Sequence, residues 1–299
     1  MGQIRLTQGN HEGAAQELQT ALALEPANAR AFRDLGDVYE AQHRYDDAEK
    51  TYQKAIETRP GDATGQIYLG LFYFNRERLP EAELSWRRAI ELSPDNPKAH
   101  GNLGLVYLRT GRYSEALGEF EKSVSIQPNP LAYTQVGAAY YYLKRYADAA
   151  IQYQQAVKLA PTNSMYWGNL ADAYRWTEDL HSEAPAVYRR AIALLKTEIE
   201  VNPKDARLRA RLAMYYASVG DRAPALAQVA EALRLDSSQA YVQYRAALVY
   251  EQDGDRARAL KALEGALKAG QPMADILASP PLDRLRGDPR FVRMAGPRP

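Results

Sequence analysis

Apolar residues fall at i, i+3 or i+4, and i+7 in one short segment after another, the spacing that lays a single stripe along a helix. Leu35-Gly36 with Tyr39, Leu69-Gly70 with Tyr73 and Leu103-Gly104 with Tyr107 head three such segments. A short turn follows, as in Thr110-Gly111-Arg112-Tyr113, and then a second segment with two alanines seven apart: Ala48 and Ala55, Ala82 and Ala89, Ala149 and Ala156. Between the two alanines stands a large side chain, Tyr52, Trp86 or Tyr153, with Phe120 and Tyr188 in the matching places elsewhere. The pattern predicts pairs of helices. The residue beside the leucine is small throughout (Gly36, Gly70, Gly104, Gly137, Ala171, Ala213, Ala247), which predicts a close crossing of the two helices there.

The pairs recur with a fixed period. Pro26, Pro60, Pro94, Pro128, Pro161 and Pro203 stand 34, 34, 34, 33 and 42 residues apart. Tyr39, Tyr73, Tyr107, Tyr140, Tyr174, Tyr216 and Tyr250 keep the same ruler. Proline lacks an amide hydrogen and clashes with a continuing helix, so it closes each repeat. Seven full repeats result: 29–62, 63–96, 97–129, 130–163, 164–205, 206–239 and 240–273. Residues 1–28 supply a truncated first repeat with Met1-Gly2 at the Leu-Gly position, so the native polypeptide is expected to begin upstream. In repeat 164–205 the turn Thr177–His181 carries an insertion, and extra residues before Pro203 predict a second helix extended over about Glu183–Val201. Ser237-Ser238 replace the closing proline of repeat 206–239, and that end is expected to fray.

These residues resemble the tetratricopeptide repeat (TPR) over about residues 1–273. The resemblance implies an all-α fold, a right-handed superhelical solenoid of antiparallel helix pairs. A solenoid must cover its last apolar face. Residues 274–299 carry Ile276-Leu277, Leu282, Leu285, Phe291 and Val292 and read as two short capping helices followed by a loose end. Ser279 before Pro280-Pro281 and Asp288 before Pro289 mark the two starts. This tail resembles one that closes repeat arrays in bacterial signalling and regulatory proteins.

Composition narrows the chemistry. With no cysteine among 299 residues, disulfides, thiolate metal sites and a cysteine nucleophile are excluded. Net charge is +1, and residues 206–299 hold 15 Lys+Arg against 10 Asp+Glu, too small an excess for a nucleic-acid footprint. No apolar run approaches the ~20 residues of a membrane span. The start lacks a secretory pattern, which favours the cytoplasm, with the periplasm the alternative if an upstream signal was removed. His11, His43, His100 and His181 sit in different repeats, none at ligand spacing from a carboxylate, and no HExxH, GxSxG, Walker or GxGxxG pattern occurs. No catalytic residue, metal site or cofactor is assigned, and an enzyme is not expected.

The resemblance implies that the first helix of each repeat lines a concave surface. At the sixth position of successive repeats stand Tyr68, Asn102, Gln135, Asn169, Arg211 and Arg245. A carboxamide donates and accepts, so Asn102, Gln135 and Asn169 can bond the backbone of an extended peptide. They are similar to the asparagine ladder in the superhelix of O-linked N-acetylglucosamine transferase, with one Gln departing from it. The alternative is that they hydrate a groove or bond across helices. Of 21 tyrosines, 13 fill repeat-defining positions, and Tyr68, Tyr141, Tyr142, Tyr241 and Tyr244 map instead to the concave surface. Amphipathic rings there serve as interface anchors, or are partly buried against the next repeat. Arg109, Arg175 and Trp176 complete the set, and Arg175, Arg211 and Arg245 would favour an acidic stretch. The clamp by which co-chaperones of this family grip a terminal carboxylate is not expected, because Ile67 and Leu71 stand where its Lys and Asn should precede Asn102.

The expected function is a non-catalytic scaffold that binds an extended protein or peptide segment, or a partner helix. One alternative is the sensory or regulatory portion of a larger bacterial signalling protein (kinase, cyclase or transcription regulator). Another is a structural subunit of an envelope or secretion assembly. Self-association through terminal repeats is compatible with any of these.

Overall fold

The computed structural model describes residues 11–296. The reading of Met1-Gly2 and the loose end beyond Gly296 lie outside them. The chain divides into two compact units. Unit 1 comprises residues up to Leu108 together with Glu115–Pro128, and unit 2 comprises Arg109–Ser114 with everything from Asn129 onward. Unit 1 is built from α1 (His11–Leu24), α2 (Ala29–Ala41), α3 (Tyr45–Thr58), α4 (Ala63–Asn75), α5 (Leu79–Leu92), α6 (Pro97–Arg109) and α7 (Tyr113–Ile126), apart from the residues around the α6–α7 turn. Unit 2 holds α8 (Pro130–Tyr142), α9 (Tyr146–Leu159), α10 (Ser164–Trp176), α11 (Ala184–Val201), α12 (Ala206–Ser218), α13 (Arg222–Leu235), α14 (Ala240–Gln252) and α15 (Arg256–Lys268). It ends in α16 (Met273–Leu277), a 3-10 turn at Pro280–Leu285 and α17 (Pro289–Ala295). The fold is all-α, a solenoid of helix pairs within each unit, with no strand among the described residues.

The first helices α2, α4, α6, α8, α10 and α12 start at a capping side chain two residues beyond the closing proline, or one in the shorter linker, whereas α14 follows Gln239 with no side-chain cap. Asn28 accepts from the Ala31 amide at 3.0 Å, Asp62 from Thr64 at 2.9 Å and Asn163 from Met165 at 2.9 Å. Asn96, Asn129 and Asp205 do the same for α6, α8 and α12. Such a cap satisfies an amide that the helix cannot, worth about 1 kcal/mol each. The repeat-defining tyrosine then reaches back to the second helix of the preceding repeat. Tyr39 accepts from Gln19, Tyr73 donates to Glu49, Tyr107 accepts from Arg87 and Tyr174 accepts from Gln154. These bonds set the stacking distance of one pair on the next.

The small residue beside each leucine makes room for a ring rather than for a neighbouring backbone. A Cβ on Gly70 would stand 2.5 Å from Nε1 of Trp86, and one on Gly104 would stand 2.5 Å from the Phe120 ring. Trp86 and Phe120 are fully buried, and the Trp86 indole donates to the Ile67 carbonyl at 3.1 Å. The close crossing expected from sequence is therefore a ring seated where a side chain is missing.

In unit 2, α11 is 18 residues long where α9 has 14. The insertion before it forms a 3-10 turn over Glu178–Glu183. The end of α13, expected to fray, is instead tied by Asp236, which accepts from the Ser238 amide at 2.9 Å and from Gln239 Nε2 at 2.7 Å. Serine at 238 supplies the donor that a proline could not. After α15 the chain makes three short elements rather than two helices. Asp288 caps α17 through the Arg290 amide at 2.8 Å, whereas Ser279 makes no side-chain cap. Ile276, Leu282, Leu285 and Phe291 are buried in one core with Leu248, Val249, Leu260 and Leu263.

Candidate functional site

In unit 1 the first-helix wall pairs its own charges. Arg33 bonds the adjacent Asp34, lies 5.7 Å from the Tyr68 ring centroid and donates to the Tyr68 hydroxyl at 3.5 Å. The Tyr52 hydroxyl sits 3.0 Å from both Asp37 and Glu40. One hydroxyl hydrogen serves two carboxylates, and desolvation raises the pKa of both acids, helped by the Asp34 charge at Asp37 and by the Asp37 charge at Glu40. Leu71 on α4 remains 43% exposed. His100 corrects the expectation that no histidine meets a carboxylate. It is buried, with Nδ1 2.6 Å from Glu119 Oε2 and Nε2 2.7 Å from the Pro94 carbonyl. One ring nitrogen joins α6 to α7 and the other ties the ring to the linker before α6, which leaves neither for a ligand.

Several carboxamides elsewhere in the chain are engaged. Asn28, Asn96, Asn129 and Asn163 cap helices, and Gln19 and Gln154 bond tyrosines. Asn102 in unit 1, and Gln135 and Asn169 in unit 2, have no hydrogen-bond partner among the described residues, and all three are partly exposed.

Unit 2 gathers most of the expected site. Tyr113 stacks on Tyr142 with centroids 5.0 Å apart, Tyr142 meets Tyr141 at 6.2 Å, Tyr141 meets Tyr146 at 5.2 Å and Tyr146 meets Trp176 at 6.2 Å. Tyr146, read from sequence as a repeat-defining residue, is the link that joins the expected rings. Arg175 lies 5.7 Å from the Trp176 centroid and donates to the Ser218 hydroxyl at 3.2 Å. Arg245 lies 5.2 Å from the Tyr241 ring. Burial opposes the charge on Arg245, yet the phenol of Tyr241 and the Asp172 carboxylate raise its pKa overall. Burial likewise opposes ionisation of Tyr241, but Arg245 and Arg211 pull its pKa below the ordinary phenol value. Among the described residues, no carboxylate lies within 4.0 Å of Arg175, Arg211 or Arg245.

A cavity of about 200 Å³ opens on this wall. It brings together Tyr141, Tyr142, Asn169, Tyr244 and Arg245 of the expected set. Gln135, Trp176, Arg175 and Arg211 are not among its lining residues. It also takes in Asp172 and, from the C-terminal segment, Asp275, Ala278, Ser279 and Pro281. Asp172 accepts from the Tyr188 hydroxyl, and burial raises its pKa. Burial raises Asp275 as well, against the opposing pull of Arg109. The wall is thus not an open groove at this end. Sequence reading places Asp172 on the concave surface without counting it in the expected site, and leaves out the C-terminal residues, because the tail lies outside the period that locates wall positions.

No helix among the described residues is long and apolar enough to cross a membrane. A search among curated proteins gives no match. Over 91% of its length the chain resembles 53% of a chain in the crystal structure of the APC/C hetero-tetramer Cut9–Hcn1, at 16% identity and TM-score 0.61. Over 63% it resembles 87% of a structure from the functional characterisation of Pseudomonas aeruginosa pilF, at 25% identity and TM-score 0.53. Over 81% it resembles 96% of the C-terminal part of a TPR repeat-containing protein from Cytophaga hutchinsonii, at 18% identity and TM-score 0.53. Family models described as tetratricopeptide or TPR repeat match residues 1–63, 70–111, 97–130 and 130–163. Proteins of this kind bind protein partners and are typically non-catalytic scaffolds. With its helix pairs and more than half its length matched, the chain belongs to the tetratricopeptide repeat family.

Proposed function

We propose that this protein-interaction scaffold holds extended peptide segments on its first-helix walls. Asn102 with Tyr68 and Leu71 would serve in unit 1. Gln135, Asn169, Trp176 and the arginines would serve in unit 2. The reading rests on one observation: these three carboxamides are unbonded, while the chain's capping asparagines and its glutamines facing tyrosines are all engaged. A partly exposed amide with both hydrogen-bonding functions free offers a peptide backbone what a neighbouring strand would. Arg175 and Arg211, without a carboxylate nearby, would select acidic residues flanking the bound backbone.

The test uses peptides from a displayed random library selected on the intact protein. Gln135→Ala combined with Asn169→Ala should weaken selected unit 2 ligands about tenfold, the loss of one or two hydrogen bonds. Helical content should be unchanged by circular dichroism. Selected peptides without acidic residues, bound equally by the variant, would overturn the assignment.

A further inference from the structure

In the cavity of unit 2, charges of both signs stand across from one another without meeting. The Nε of Arg245 is buried with no acceptor, and no carboxylate reaches its guanidinium within 4.0 Å among the described residues. The cation is held instead against the Tyr241 ring. Asp172 is held by the Tyr188 hydroxyl, and Asp275 accepts from Gln271 Nε2 at 2.8 Å. Neither acid has a cation within 4.0 Å among the described residues. Charges kept from water without a counter-ion are costly, and direct pairing would have relieved that cost.

A ligand of a single sign does not resolve the arrangement. A carboxylate on Arg245 would face Asp172 and Asp275, and an amine between the two acids would face Arg245. A ligand carrying both charges satisfies each. The remaining lining is suited to a small organic body: the rings of Tyr142 and Tyr244, the apolar Met214 and Leu248, and the Asn169 amide. Phenol rings also attract an ammonium through their faces. The volume of about 200 Å³ lies below the ~300 Å³ at which pockets for drug-sized molecules begin.

We propose that this cavity binds a free α-amino acid, its carboxylate on Arg245, its ammonium between Asp172 and Asp275, and its side chain against Met214 and Leu248. Because Asp275 belongs to the C-terminal segment, the ligand joins that segment to α10 and α14. Asn169 lines this cavity as well as serving in backbone recognition, whereas Gln135 is not among its lining residues.

The experiment is thermal unfolding of the full chain with each proteinogenic amino acid in turn at about 5 mM, where even millimolar binding raises Tm. At least one should do so. For that amino acid, the N-acetyl derivative (no ammonium) and the carboxamide (no carboxylate) should each bind at least tenfold more weakly by calorimetry. Arg245→Met should weaken the amino acid but leave the carboxamide's residual binding unchanged, and Asp275→Asn should do the converse for the N-acetyl form. The derivatives on the unaltered protein decide the matter should Arg245→Met misfold. The inference fails if no amino acid raises Tm, or if either derivative binds as well as its parent.

Discussion

Arg33 on the wall of unit 1 finds Asp34 one residue away and Tyr68 on the next first helix, whereas Arg211 and Arg245 on the wall of unit 2 find only phenols. The acids divide similarly. Asp37 and Glu40 share the Tyr52 hydroxyl within one helix pair, while Asp172 and Asp275 face a cavity that also holds Arg245. The period of the repeat sets where these side chains point in both units, but it does not decide whether they are satisfied. In unit 1, partners close in sequence settle the charges. In unit 2, they are left to a ligand or to the C-terminal segment.

The largest expected effect probes the packing that both walls rest on. Trp86→Ala in unit 1 removes a fully buried ring and the indole bond to Ile67, and should cost about 3–5 kcal/mol. Val229 is the corresponding buried residue of repeat 206–239 in unit 2, beside Ala213 in one core, and Val229→Ala should cost about 1–2 kcal/mol. Gly70→Ala should cost about 1–3 kcal/mol by driving a methyl into Trp86, while the alanine already at 213 shows the smaller partner being tolerated. Urea denaturation measures all three. Equal losses at Trp86 and Val229 would break the view that first-helix and second-helix volumes are traded between repeats.

Next in size is a dependence on pH. Asp172 has its pKa raised by burial, so the folded chain takes up this proton before the unfolded chain does. Stability should therefore rise as pH falls toward about 4, and the gain is lost as pH rises through the raised value. Asp172→Asn removes the ionisation and still accepts from Tyr188. It should stabilise the fold at neutral pH, by an amount that shrinks as pH falls toward about 4. Asp37 is raised too, but it is more exposed than Asp172, so water screens it more and Asp37→Asn should shift the curve less. Below about pH 4 the trend reverses, because Asp62 and Asp236, whose pKa values hydrogen bonds hold low, are then protonated. Denaturation midpoints across this range separate the two behaviours.

How far the sequence could be read follows from the same division. Pro, Tyr and Ala recur because each closes, ties or packs a repeat, so the helix pairs were legible. The Asn or Asp one or two residues after each closing proline is an equally regular signal, a helix cap in every case. Wall residues such as Asn102 and Arg245 were legible because position within a repeat sets direction. Their satisfaction was not: which rings meet, as where Tyr146 joins Tyr141 to Trp176, depends on side chains that differ from repeat to repeat, and Asp275 lines the cavity of Arg245 from a segment outside the period. The tail has no internal repeat, and its course over unit 2 is set by burial of Ile276, Leu282 and Leu285, which specifies a core but not the wall it covers.

The smallest effect concerns the hairpin turns. His43 and Glu77 in unit 1 and Lys144 in unit 2 adopt positive φ of 58°, 58° and 62°. Gly220 and Gly254 do so at the matching turns later in unit 2, with φ of 83° and 82°. The turn demands this conformation wherever it occurs. A side chain there costs roughly 1 kcal/mol, because its Cβ crowds the backbone carbonyl. Glycine removes that crowding but adds freedom to the unfolded chain. Glu77→Gly and Lys144→Gly should accordingly gain at most about 0.5–1 kcal/mol, and Gly220→Ala should lose about 1 kcal/mol. Thermal unfolding with both classes side by side would show whether the later repeats of unit 2 owe stability to their turns. A loss at Glu77 together with a gain at Gly220 would mean that unfolded-state entropy, and not turn strain, governs these positions.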